Sequence, residues 1–169
     1  FGGNIYQVIV GGAAFNREVE MFLQKIGFPI TVGYGATECA PIISYADWTE
    51  HRATSCGLPA PRMEIRIDSP NPQEVVGEIL ARGMNVMQGY YKNPEATAEV
   101  FTEDGWFRTG DLGEFDKDGY LYIKGRLKNM ILGPSGENIY PEEIESVLNS
   151  HAFVSESVVT EQDGRLIAL

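Results

Sequence analysis

Two short apolar runs, each ending in a glycine turn and separated by one helical pattern, constrain this chain more than any other feature. Residues 5–10 alternate and run into Gly11-Gly12, the pattern of a strand entering a tight turn. Asn16 stands at the N-cap of a helical stretch in which Val19, Phe22, Leu23 and Ile26 recur at helical spacing, and Gly27 closes it. Residues 29–32 read as a second apolar strand, ending at Gly33-Tyr34-Gly35. Strand, helix, strand predicts a βαβ unit with parallel strands, whose loops gather at the carboxyl edge where ligands bind.

From residue 57 the pattern changes to short strands at 64–67, 77–81, 106–108 and 120–123. The turn signals between them are Pro70-Asn71-Pro72, Asp104-Gly105 and Asp118-Gly119. A helix over 94–100 interrupts the series, with Pro94 at its start and Glu95 in its first turn. Past Arg126 come an apolar segment at 130–132, a glycine-rich turn at 133–136, a helix from 141 to 148 and a strand over 154–160. The expected fold is mixed α/β in successive pieces. Residues 1–56 end a parallel-sheet βαβ subdomain, 57–125 form a small, distorted, partly closed antiparallel β-barrel, and 126–169 are a hinge with an incomplete C-terminal α+β domain.

Of the 169 residues, 43% are hydrophobic, enough to build a core. The formal net charge of −11 argues against nucleic acid or an anionic membrane as partner, because both reward clustered Lys and Arg. No apolar stretch reaches the roughly 18 residues of a membrane span. Cys39 and Cys56 lack metal-ligand spacing, and His51 and His151 stand apart from them. The pair therefore reads as reduced thiols of a cytoplasmic protein. The opening at Phe1 and the apolar close Leu166-Ile167-Ala168-Leu169 are read as cuts in a longer polypeptide.

Several motifs offer chemistry. Glycines at Gly11-Gly12-Ala13 and Gly33-Tyr34-Gly35 allow backbone to approach a flat ligand, or serve only the turns. The dinucleotide G-x-G-x-x-G spacing is absent. Thr37 and Glu38 place a hydroxyl and a carboxylate together, suited to Mg²⁺ beside a phosphate. The same pair also fits a helix N-cap with a first-turn acid. Asp111, after Trp106-Phe107-Arg108-Thr109-Gly110, can accept hydrogen bonds from vicinal hydroxyls such as those of ribose, or can be a turn residue. Arg126 and Lys128 sit at the change of composition, where one fits a nucleotide contact and the other a pivot. Asp116-Lys117-Asp118-Gly119 opens like a calcium loop, but the later ligands do not follow, and it reads as a hairpin turn. A Ser-His-Asp hydrolase is excluded by the missing G-x-S-x-G motif.

In order, these motifs resemble one family: the acyl- and aryl-CoA ligases, luciferases and peptide-synthetase adenylation domains that form acyl adenylates. The resemblance rests on Gly11-Gly12-Ala13 and Tyr34-Gly35-Ala36-Thr37-Glu38, then on Gly77-Glu78-Ile79, Gly89-Tyr90-Tyr91 and Pro94-Glu95-Ala96-Thr97. It continues through Trp106 to Asp111, Asp118-Gly119-Tyr120 to Lys128, and Gly136-Glu137-Asn138-Ile139-Tyr140-Pro141.

The resemblance implies an AMP-forming ligase using ATP, Mg²⁺ and coenzyme A, with a small carboxylic acid as substrate. It implies that Gly11, Gly12 and Ala13 lie against adenine, that Tyr34 beside Gly35 stacks on the ring, and that Thr37 contacts phosphate. Glu38 would ligate Mg²⁺ and Asp111 would hold the ribose, with Ile123 and Arg126 nearby. Lys128 would be the hinge, Gly136 would border the pantetheine arm, and Cys39 and Ala40 would border the acyl pocket. The 133–138 loop and the acidic helix start at 142–145 most resemble the fatty-acyl branch.

The family's phosphate loop is expected upstream of Phe1, and its adenylating lysine downstream of Leu169; Lys124 and Lys128 occupy other motif positions. The isolated segment is therefore expected to be inactive and prone to self-association through open strand edges. The parent would be cytoplasmic or peripheral to a membrane. Other readings are a nucleotide-binding or interaction module on the same scaffold, and a related enzyme that loads an acyl carrier protein.

Overall fold

A computed structural model describes residues 2–12 and 15–169. Strands β1 (Val8–Val10) and β2 (Ile30–Val32) pair in parallel, with Val8 opposite Ile30, and helix α1 (Arg17–Lys25) connects them. The βαβ unit is thus present, although its first strand is shorter than the alternation over 5–10 suggests. Pairing begins where Val8 N donates to Pro29 O, and the preceding Gln7 uses its side chain to reach Ala46 O. Asn16 Oδ1 accepts from Glu18 N and Val19 N. Gly27, at φ 69, follows the last turn.

The buried face of α1 is not the one its apolar spacing predicts. Val19, Phe22 and Ile26 are about half exposed, whereas Glu20 is only 1% exposed. Polar contacts set the orientation. Glu20 Oε1 accepts from His51 Nε2 at 2.6 Å and from Thr54 N at 3.0 Å. His51 Nδ1 lies 3.1 Å from Thr31 Oγ1 on β2. An ionised carboxylate only accepts, so Nε2 carries the ring proton in this chain of contacts. His51, apparently isolated in sequence, thereby becomes the link between α1, β2 and the 46–56 loop.

Strands β3 (Tyr34–Gly35), β4 (Ile42–Tyr45) and β5 (Leu58–Pro59) form a small antiparallel sheet. Strands β6 (Met63–Asp68), β7 (Gly77–Gly83), β8 (Phe107–Phe115) and β9 (Leu121–Arg126) form an antiparallel sheet in sequential order. Its edges are β6 and β9, and among the described residues it does not close into a barrel. The strand expected at 106–108 runs on to Phe115. Gly110 turns to φ 70 without ending it, because register shifts at Glu78/Leu80 and Leu112/Gly113 absorb the irregularity. Helix α2 (Pro94–Glu99) lies between β7 and β8, capped by Asn93. The core joins both sheets: Tyr34, Cys39 and Ile43 pack in one cluster with Cys56, Met63, Ile67, Ile79, Phe107 and Leu121.

The 46–56 loop is fastened to the sheet. Cys56 N donates to Leu121 O, and Leu121 N donates to Gly57 O, both at 2.8 Å. Arg52 bridges Asp116 at 2.6 Å and Asp118 at 2.8 Å while its guanidinium stacks 3.9 Å from the Tyr120 ring centroid. The 116–119 segment is the β8–β9 turn, where Asp116 Oδ1 accepts from Asp118 N and Tyr120 N.

Strands β10 (Ile131–Leu132) and β11 (Asn138–Ile139) form a hairpin before helix α3 (Pro141–Asn149). Strands β12 (Val159–Gln162) and β13 (Arg165–Ala168) form another. The strand expected over 154–160 starts only at Val159, where Glu145 of α3 accepts from its N–H at 2.7 Å. No helix among the described residues is long and apolar enough to cross a membrane.

Candidate functional site

The carboxyl ends of β1 and β2 come together at glycine. A Cβ on Gly11 would stand 3.0 Å from Gly33 O, so the two turns approach as closely as backbone allows. Gly12 adopts φ 93 and is exposed beside them. Ala13 lies outside the described residues. The chain then enters β3, where Tyr34 is buried and Gly35 packs its α-carbon against the backbone of Pro41 and Ile42.

Tyr34 reaches across 77 residues of sequence: its hydroxyl donates to Asp111 Oδ2 at 2.6 Å. Asp111 Oδ1 pairs with Arg126 Nε at 3.0 Å. Asp111 N donates to Thr109 Oγ1, which in turn donates to Ile79 O. The irregular stretch of β8 therefore presents this carboxylate from a fixed base. Burial pushes the Asp111 carboxyl above its ordinary range, although the Tyr34 hydroxyl and the Arg126 guanidinium both hold it down. Burial, and then the neighbouring Asp111 charge, pushes the Tyr34 phenol up. Each carboxylate oxygen retains a further lone pair for an incoming hydroxyl.

Thr37 and Glu38 lie on a 3₁₀ turn, Thr37–Cys39, directly after β3. The cap position belongs to Ala36 with no side-chain bond, so the Thr37 hydroxyl is not used as an N-cap. Left-handed Ala40 (φ 52) closes the turn. Residues 85–90 grip it from outside: Met87 N donates to Glu38 O at 2.7 Å, and Asn85 Nδ2 donates to Cys39 O and Ile42 O. Tyr90 Oη donates to Glu38 Oε1 at 2.9 Å.

A single carboxylate with a neighbouring free hydroxyl suits Mg²⁺, which keeps waters and takes phosphate oxygens. Among the described residues no group of three or more His, Cys, Asp or Glu side chains could hold a metal by itself. The donor set fits a cation whose remaining ligands come from substrate and solvent.

Ile123 lies in β9 opposite Gly113, partly exposed. Lys128 occupies a short 3₁₀ turn, Leu127–Asn129, and Gly136 (φ 85) lies in the β10–β11 loop. Glu142 of α3 reaches back to the turn: its Oε1 accepts from Asn129 Nδ2 at 2.7 Å and Arg126 N at 3.3 Å. Lys124 bridges Glu114 and Glu143, each at 3.2 Å. Cys39 and Cys56 are free and buried, and burial raises their thiols to about 11 and about 12. At neutral pH both are therefore held as thiols rather than thiolates.

Sequence reasoning did not give Tyr90, Asn85 or Glu142 a role. Tyr90 stood out only within Gly89-Tyr90-Tyr91, and its contact with Glu38 spans 52 residues, beyond any local spacing rule.

The family model described as AMP-binding enzyme matches residues 1–91. The chain is 37% identical over 158 residues to long-chain-fatty-acid–CoA ligase FadD15 of Mycobacterium bovis, covering 94% of this chain and 25% of that protein. It is 44% identical over 151 residues to indoleacetate–CoA ligase of Aromatoleum aromaticum, covering 85% of this chain and 28% of the relative. Among solved structures, o-succinylbenzoate coenzyme A synthetase from Bacillus subtilis, in complex with ATP and magnesium ion, superimposes with a TM-score of 0.84 at 32% identity. That match covers 98% of this chain and 37% of the solved one. The chain thus spans about a quarter of the length of the curated relatives it matches.

Proposed function

Because this chain belongs to the AMP-binding enzyme family, we propose that it is the nucleotide-contacting and hinge portion of an AMP-forming fatty acyl-CoA ligase. The observation that carries the reading is the Tyr34–Asp111–Arg126 linkage, built on the strand that leads into the Thr37–Glu38 turn. It joins directly the groups suited to a base and a ribose, and the groups suited to phosphate, Thr37 and Glu38, follow on the turn after β3.

Adenine lies against the Gly11–Gly12 turn, and stacks on Tyr34, whose ring is held by its bond to Asp111. Asp111 accepts the ribose hydroxyls on its remaining lone pairs, while Arg126 and Ile123 flank the nucleotide. Thr37 donates to phosphate. Glu38 would hold Mg²⁺, which would offset negative charge on the phosphates. The fatty acid carboxylate attacks the α-phosphorus of ATP, giving acyl-AMP and pyrophosphate, and the thiol of CoA then displaces AMP. This chain's residues orient the nucleotide and fix charge where it develops. Lys128 is the pivot of the 126–169 segment, and Gly136 leaves room for the pantetheine arm.

The fatty-acyl assignment rests on the similarity to long-chain ligases. The full-length gene product is expected to release pyrophosphate from ATP only with a carboxylic acid, with long-chain fatty acids preferred over an aryl acid. Glu38→Gln is expected to slow release roughly 100-fold, in keeping with the loss of a few kcal/mol of charge stabilisation. The 169-residue chain alone is expected to release none. Carboxylate-independent release, or none from the full-length product, would overturn the ligase reading. Preference for the aryl acid would overturn its fatty-acyl part.

A further inference from the structure

We propose that Tyr90 is a positioning residue for Glu38, holding one carboxylate oxygen so that the other faces the metal–phosphate site. The inference deepens the proposed function and rests on its assignment of Glu38. Tyr90 Oη donates to Glu38 Oε1 at 2.9 Å, while Oε2 accepts no hydrogen bond among the described residues. A glutamate at the mouth of a site has three rotatable bonds. A phenol can only donate to its carboxylate oxygen in a subset of its rotamers, so the contact selects orientation before a cation arrives.

The phenol is itself held. Tyr90 N donates to Thr97 Oγ1 at 2.9 Å, and Thr97 Oγ1 donates to Asn93 O at 2.8 Å, which anchors the 89–93 turn on the first turn of α2. Gly89 has φ 149 and packs against Thr97, where a Cβ would come within 2.7 Å of its methyl. The same segment holds the metal-side turn through Met87 N to Glu38 O and through Asn85 to Cys39 O and Ile42 O. Backbone and side chain of Glu38 are thus fixed by one neighbouring segment, which docks through Asn85, Met87 and Tyr90.

The test uses the full-length gene product, Mn²⁺ as the probe and a non-hydrolysable ATP analogue. Free Mn²⁺ is read by electron paramagnetic resonance. Tyr90→Phe keeps the ring and removes the donor. It is expected to raise the Mn²⁺ dissociation constant roughly tenfold, the lower end for loss of an outer-sphere partner. Its melting temperature should be unchanged, and saturating Mg²⁺ should restore kcat. Tyr91→Phe, at an 88% exposed neighbour, is the control expected to match the parent. Parent-like Mn²⁺ binding in Tyr90→Phe, with binding lost in Glu38→Gln, would overturn the positioning role and leave the metal assignment standing. Parent-like binding in Glu38→Gln would overturn both.

Discussion

At Gly35 a single methyl group decides whether the Thr37–Cys39 turn can form. A Cβ there would collide with the carbonyl oxygen of Pro41 and stand 3.1 Å from the Ile42 α-carbon, both backbone atoms that cannot rotate away. Gly35→Ala is therefore expected to destabilise the 169-residue chain by about 1–3 kcal/mol, the range of overpacking. A chemical-denaturation midpoint unchanged from the parent would show that the Thr37–Cys39 turn is more pliant than its packing implies. The position also shows what sequence could tell. Gly33-Tyr34-Gly35 was legible as a glycine turn suited to close backbone approach, yet the partner turned out to be protein backbone from the neighbouring strand. The hydroxyl of Tyr34 was not legible at all, because its acceptor Asp111 lies on a strand 77 residues away.

Among the elements, α1 shows most clearly where periodicity misleads. Its boundaries were legible, since Asn16 and Gly27 act locally through backbone hydrogen bonds and φ. Its orientation was not, since helical spacing marks an apolar stripe without saying what covers it. In this chain the helix is held by Glu20, through His51 and the Thr54 N–H. Glu20→Leu leaves the buried His51 ring N–H and the partly buried Thr54 amide without their acceptor and is expected to cost about 3 kcal/mol, as for breaking a buried pair. Urea titration followed by tryptophan fluorescence would read the change, because Trp48 borders His51 in a surface cavity of about 340 Å³. A cost below about 0.5 kcal/mol, the scale of ordinary surface substitutions, would mean that apolar contacts hold the helix instead. The strands of the β6–β9 sheet were better read, because hairpin turns and alternation are local signals. The extension of β8 through Gly110 was missed, since only its neighbours' register can accommodate that φ.

The whole molecule divides between a closed centre and open ends. The centre is the cluster around Ile43, Ile79 and Leu121, each with no exposed surface. At one end Val19, Phe22 and Ile26 form an apolar face on α1; at the other Phe153 is 94% and Leu169 78% exposed. Faces of this kind are expected to favour self-association. The 169-residue chain is expected to show a hydrodynamic radius that rises with concentration, and Phe22→Ser with Ile26→Ser should reduce the rise. A constant monomer radius over a hundredfold range would contradict the expectation.

The attachment of α3 to the end of β9 carries a mechanical consequence. Glu142 holds the Arg126 amide and the Asn129 side chain, and Lys124 is shared between Glu114 and Glu143. If the segment turns about Lys128 as proposed, a rotation that carries α3 away from β9 would have to release these contacts first. On the pivot proposed at Lys128 they would act as a detent, a resting click whose stiffness is set by partly exposed charges rather than by buried surface. Such a detent would soften with salt, and the ease of turning would then be a property of the surrounding solution as much as of the chain.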